Sequence, residues 1–107
     1  MIKRYRIAIV TASVLFGAWV SWAQQSGMDI YLDKCAVCHG PDGAGKTAKG
    51  RKLKVKDVRE TASKMSAEEM IKIVEDGKGA DMDAYGKQLS KQQIQAVVDY
   101  YRGLGKK

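Results

Sequence analysis

Cys35 and Cys38 are the only cysteines in the chain of 107 residues, and His39 is its only histidine. All three fall in CAVCH, residues 35–39. Thiol and imidazole are the side chains that bind soft metals, form covalent links and carry redox chemistry, so their confinement to one pentapeptide needs a reason. Four chemistries compete. A structural zinc site needs four ligands and a catalytic one needs three plus water; no further Cys or His exists to complete the structural site. A thioredoxin-like redox pair belongs beside a βαβ pattern, and no strand alternation is visible. A simple disulfide uses both thiols but leaves the adjacent histidine unexplained, and closing so short a loop stabilises little. The fourth reading, covalent attachment of haem through Cys-x-x-Cys-His, uses all three residues. On a helix, Cys35, Cys38 and His39 stand at i, i+3 and i+4 and share a face. Two thiols can then bond the edge of a flat macrocycle while the imidazole reaches its iron.

The elements that position this motif begin with a leader. Lys3, Arg4 and Arg6 precede an uncharged apolar run, Ile7 to Val20, and Ser21-Trp22-Ala23 offers small residues at the positions a signal peptidase reads. Residues 1–23 therefore read as a secretory signal peptide and residues 24–107 as one domain. The alternative is an uncleaved anchor, since Ile7 to Ala23 is at the lower limit of a membrane span. Either reading sends the domain out of the cytoplasm, into the periplasm, either free or held at the membrane facing it. Disulfides and covalent haem fit an exported compartment, and export argues against a nucleic-acid partner. The chain carries a formal net charge of +7; its three leader cations leave the rest only mildly basic. Without the leader the domain has four tyrosines (Tyr31, Tyr85, Tyr100, Tyr101) and no Trp or Phe. So thin a core points to help from a bound group.

Three helical segments have start signals. The first begins at Ser26 and runs into the cysteines. The second begins at Ser66, where Ser66 and Glu69 make a capping box and Met65 and Met70 a hydrophobic staple; Gly77 is its stop. The third begins at Ser90 with Gln93 as box partner and a Leu89/Ile94 staple. Ile94, Val97, Val98 and Tyr101 give it a buried face, and Gly103 or Gly105 ends it. The stretch from Gly40 to about Thr61 reads as a connection, opening with turn residues and continuing through six cations, Lys46, Lys49, Arg51, Lys52, Lys54 and Lys56. Gly77 to Leu89 is a long loop for so small a domain.

From Ser26 to Leu104 the sequence resembles the small, single-haem class I cytochromes c. Gly27 and Tyr31 resemble the glycine and aromatic of that family's first helix, CAVCHGPDGAG its attachment segment, and SAEEMIKIVEDGKGADMDAYGKQLSKQQIQAVVDYYRGL its second half. The resemblance implies an all-α cytochrome c fold with three main helices around one haem c bound through Cys35 and Cys38. It also implies that the first and last helices cross where Gly27 lets Tyr100 approach. The residues themselves leave Met82 as the candidate second axial ligand beside His39. Met1 lies in the leader, Met28 shares the haem motif's helix, and Met65 and Met70 have the staple to explain them. The resemblance places the ligand at Met82 too, with Tyr85 nearby, although an ordinary loop methionine would look the same. Asp83 stands where the family often has proline after its ligand. Arg51 stands near the place of a proline whose carbonyl often orients the histidine, leaving a carbonyl near Gly50 or Arg51 as the expected acceptor.

A His39/Met82-ligated haem is closed to substrate and suits one-electron transfer at a raised potential. Candidate crevice residues are Ile30, Tyr31, Leu53, Val55, Ile73, Val97 and Tyr101, each equally readable as plain core. The cations of Lys46–Lys56 are either a solvated loop or a docking patch for an acidic redox partner. The resulting expectation is a monomeric electron carrier rather than an enzyme. The alternative is a small haem subunit of a periplasmic dehydrogenase or other oxidoreductase. A third reading, a haem open to gases or peroxide, requires that Met82 not ligate.

Overall fold

The computed structural model describes residues 25–107, so the leader lies outside the described residues. The described chain is helical, and its one β-type pairing is an isolated bridge between Lys78 and Met82. The first helix is continuous but not uniform. It comprises α1 (Gly27–Ile30), a π-wound turn (Tyr31–Cys35) and α2 (Ala36–His39). Four more follow: α3 (Ala48–Leu53), α4 (Val58–Lys64), α5 (Ala67–Asp76) and α6 (Lys91–Leu104). No described helix is long and apolar enough to cross a membrane.

The predicted caps form. Ser26 Oγ accepts from the Asp29 amide at 3.1 Å, and Ser66/Glu69 and Ser90/Gln93 both close as reciprocal boxes. Each satisfies amide groups that a helix start otherwise leaves open. Gly77 ends α5 at φ +74° and Gly105 follows α6. The connection read from Gly40 to about Thr61 needs correcting, because it contains α3 and the start of α4. Thr47 Oγ1 caps α3 by accepting from Gly50 at 2.9 Å, and Asp57 caps α4 by accepting from Arg59 at 2.9 Å. Neither helix carries the apolar period that sequence reading relies on. In α3, AKGRKL, Leu53 is the one large apolar residue, and Lys54 turns the chain out of it in the left-handed conformation, φ 58°.

The core gathers where the two ends of the domain meet. Ile30, Tyr31 and Ala36 from the first helix pack with Ile94, Val97, Val98 and Leu104 from α6, joined by Val58, Met70 and Leu89. Ile30 and Ile94 are almost wholly excluded from water. The crossing is tight because Gly27 has no side chain. A Cβ there would strike the Ala96 carbonyl and come within 3.3 Å of Tyr100 Cβ. The predicted approach of Tyr100 is therefore real, with the Ala96 backbone the tighter contact.

Two glycines on the crossing helices separate this steric role from helix propensity. Gly103 has nothing within 4 Å of an added Cβ. Gly103→Ala should raise stability by up to about 1 kcal/mol through helix propensity. Gly27→Ala gains the same propensity yet must push two backbones apart, and should lower stability by about 2 kcal/mol or more. Denaturant unfolding followed by far-ultraviolet circular dichroism gives both values.

Candidate haem site

The π-wound turn decides where the motif points. Winding one extra residue into the turn bonds the Ala36 amide to the Tyr31 carbonyl and rotates everything beyond it relative to α1. Ala36 therefore joins Ile30 and Tyr31 in the core. Cys35, Cys38 and His39 are half-buried, Cys35 packing against that core from its side and His39 against Tyr101 of α6. One helix thus serves two faces, one toward α6 and one carrying the chemistry.

The backbone around His39 is tied on both sides. Its carbonyl accepts from the Gly45 amide at 2.7 Å, and the next carbonyl, that of Gly40, accepts from the Tyr31 phenol at 2.5 Å. Thr47 Oγ1 donates to Val37 O at 2.7 Å and lies 3.2 Å from Cys38 O. Gly50 brings α3 against the same strand of backbone, where a Cβ would overlap the Cys38 carbonyl. The segment is thus clamped from below by Tyr31 and from outside by α3.

The imidazole is held differently. Its ring stands edge-on to Tyr101, centroids 5.2 Å apart and planes at 70°. Tyr101 in turn stacks on Tyr31 at 6.0 Å. His39 Nδ1 is buried with no hydrogen-bond partner. The carbonyls of Gly50 and Arg51 do not reach it within hydrogen-bond geometry. Those carbonyls close α3 instead, Gly50 O accepting from Val55 at 2.9 Å and Arg51 O from Lys54 at 3.2 Å. Burial holds the imidazole below its ordinary pKa, which keeps it neutral and able to bind a metal. The Cys35 thiol is pushed up to about 11, mainly by burial, so it is not a spontaneously reactive thiolate. The two thiols are not bonded to each other. No three Cys, His, Asp or Glu side chains among the described residues converge as an ion-binding cluster.

Met82 lies apart in sequence, half-buried in the 77–89 loop. Its carbonyl accepts from Lys78 at 2.8 Å, and Gly77, at φ +74°, lets the loop close against Met82 O and Ala84 N. Tyr85 and Gly86 donate amides to Val74 and Glu75 at the end of α5. The Tyr85 phenol lies 3.5 Å from the Lys34 carbonyl. That approach brings the Tyr85 end of the loop against the helix that carries the thiols, and the Tyr85 pKa is raised by burial first and then by Cys35, Asp83 and Cys38. The other methionines sort as expected: Met70 is core, Met65 packs on it, and Met28 is 47% exposed. Of the candidate crevice residues, Ile30, Tyr31 and Val97 are buried in the helix core, while Leu53, Val55, Ile73 and Tyr101 are half-buried. Two open clefts of about 350 and 390 Å³ lie beside Pro41 and Asp42. Neither is lined by Cys35, Cys38, His39 or Met82.

This donor set fits haem c better than a bare ion. It offers two unpaired thiols three residues apart and a buried neutral imidazole next to the second; Met82 is half-buried in a loop whose Tyr85 reaches the same helix. The fold and this site define a c-type cytochrome, an electron-transfer protein rather than an enzyme. The chain belongs to the family described as cytochrome c oxidase, cbb3-type, subunit III, which matches residues 23–100. It is 29% identical over 83 residues to the cbb3-type cytochrome c oxidase subunit FixP of Azorhizobium caulinodans, covering 78% of this chain but 28% of that protein. Solved structures agree on the fold. KustC0563 c-type cytochrome is 31% identical with a TM-score of 0.69, covering 74% of this chain and 96% of that one. The c-type cytochrome XoxG from Methylobacterium extorquens AM1 is 29% identical with a TM-score of 0.59, covering 78% and 51% respectively. Cytochrome c6C from Synechococcus sp. PCC 7002 is 29% identical with a TM-score of 0.54, covering 74% and 93%.

Tyr31 offers a clean test of the clamp. Tyr31→Phe keeps the ring and removes the donor to Gly40, and should cost about 1–2 kcal/mol of stability. Thermal unfolding of the haem-loaded protein, compared with wild type, measures it.

Proposed function

We propose that the protein is a one-electron carrier with a single haem c, bonded through Cys35 and Cys38 and ligated by His39 and Met82. The observation that carries the reading is the pairing of a buried, neutral His39 with a methionine loop facing the same helix. When bound, the haem supplies reversible one-electron exchange at its iron. The chain's residues do the rest. His39 offers a neutral nitrogen, Met82 a neutral thioether, and both favour the reduced state over the more highly charged oxidised one. Ile30, Tyr31 and Val97 keep water from one side of the helix. The tether through two thiols holds the cofactor at high effective concentration, so the thin core need not bind it unaided.

The cations of Lys46–Lys56 serve this function as a docking surface for an acidic redox partner. Lys46, Lys49, Arg51, Lys52, Lys54 and Lys56 are all exposed. None is among the ion pairs of the described residues, which join Lys34–Asp33, Arg59–Asp57 and Lys64–Glu60. Val37, 56% exposed, stands beside them within the haem motif and provides an apolar contact. A monomer reached by export, with the leader removed, fits a mobile carrier. The second reading, a small subunit of an oxidoreductase complex, is favoured by the likeness to FixP, an oxidase subunit by its name. Copurification of a large partner with the native protein would select it.

Visible spectra test the ligands. The ferric protein should show the weak far-red band of methionine-bound haem, and Met82→Ala should abolish it while opening the reduced protein to carbon monoxide. A wild type that lacks the band and binds carbon monoxide overturns the Met82 assignment. Replacing Lys49, Arg51 and Lys52 together by Glu should slow reduction by an acidic redox protein by about tenfold or more at low salt, and the difference should shrink as salt is added.

A further inference from the structure

We infer that Thr47 is a positioning residue for the haem segment: its one hydroxyl both starts α3 and holds the Val37–Cys38 backbone from which Cys38 and His39 project. The inference rests on the reading that Cys38 and His39 hold the haem. Carbonyls at the C-terminal end of a helix lack an amide partner one turn on, and each must find a donor elsewhere or face water. The helix that carries the motif ends at His39, and its last carbonyls can be followed one by one. Ala36 O accepts from the Gly40 amide at 2.8 Å, and His39 O accepts from the Gly45 amide at 2.7 Å. Val37 O would take the amide four residues on, but that residue is Pro41, which has no N–H to give. The Thr47 hydroxyl stands in for it. It donates to Val37 O at 2.7 Å, and Cys38 O shares the same hydrogen at 3.2 Å.

The same oxygen accepts from the Gly50 amide at 2.9 Å, the bond that caps α3. A hydroxyl has one hydrogen to give and lone pairs to receive with, so both bonds form at once. Gly50 completes the joint from the other side. It is buried, and a Cβ there would overlap Cys38 O. Cys38 and His39 are consecutive, so the backbone torsions at this joint set where the second thiol leaves the chain and where the imidazole begins. Ligands are held in productive geometry only when their supporting groups are themselves locked. Here the lock is a side chain ten residues beyond Val37, and it joins the helix bearing Lys49, Arg51 and Lys52 to the haem segment through one oxygen.

Three substitutions separate the two jobs. Thr47→Ser keeps both donor and acceptor. Thr47→Asp keeps the acceptor that caps α3, but its carboxylate has no hydrogen to give. Thr47→Val loses both. Proton NMR of the haem-loaded protein reads the haem segment through the spread of the ferric haem-methyl shifts, and α3 through exchange of the Gly50 amide. Thr47→Asp should change the haem-methyl spread while leaving Gly50 exchange within about threefold of wild type. Thr47→Val should change the spread and also speed that exchange about tenfold or more. Thr47→Ser should match wild type in both. A Thr47→Asp protein with the wild-type haem-methyl spread overturns the inference, whatever its stability, because Thr47 is then only the cap of α3. A Thr47→Ser protein that departs from wild type in the spread overturns it too. If Thr47→Asp does not load haem, Thr47→Gly, a fair cap without a hydroxyl, takes its place with the same two outcomes. A wild-type ferric spectrum without hyperfine-shifted His39 ring signals sinks the ligation reading and this inference with it, a result that no variant is needed to see.

Discussion

The contact between the Gly27 backbone and the Ala96 carbonyl sets the geometry of the domain. It joins the first helix to the last, and among the described residues seven of the ten buried apolar ones lie on those two helices. Both sides of the site descend from it. The first helix carries Cys35, Cys38 and His39; α6 carries Tyr101, which meets the His39 ring. A side chain at residue 27 would widen the crossing and move the histidine away from Tyr101. Packing at one end of the helix is thus transmitted to chemistry at the other through a rigid element a few turns long.

The π-wound turn reconciles two demands on that helix. Ile30 and Tyr31 must face α6, while the thiols must face the cofactor. Tyr31 and Cys35 stand four positions apart, so regular α-helical winding would stack them on one face. The wider turn bonds Ala36 to Tyr31 instead and buries Ala36, leaving Cys35 half-buried at the edge of the core. The same economy appears in α3, whose glycine brings its backbone against Cys38 while its lysines remain in solvent. A short helix with almost no apolar surface can then be held by one threonine cap and close backbone packing.

Much of this was legible in the sequence, for identifiable reasons. The Ser66 and Ser90 boxes are local, four-residue signals, and both form. The buried face of α6 follows the helical period at Ile94, Val97 and Val98. The motif at 35–39 declares its own chemistry because no other Cys or His dilutes it. What escaped sequence reading depends on long-range contact. The helices α3 and α4 are capped by Thr47 and Asp57, a signal that could have been found, but their apolar content is too small to give a period. The π-wound turn reflects competition between two faces, which no window of sequence records. The end of α3 depends on Lys54 adopting a left-handed φ, a conformation that no local sequence signal announces for a lysine. The contact of Tyr101 with His39 required knowing that α6 passes beside the motif.

The methionine loop has a different standing from the rest of the chain. It is closed on itself through Lys78 and Met82 and hung from the last turn of α5 by Tyr85 and Gly86. Residues 78–81 bury nothing in the core, and Gly79 has open space around it. Architecture and loop are therefore separable in heredity. Changes from Lys78 to Asp81 can accumulate without loosening the helix crossing. A lineage of such proteins could diversify in electrochemical behaviour while its scaffold stays almost still.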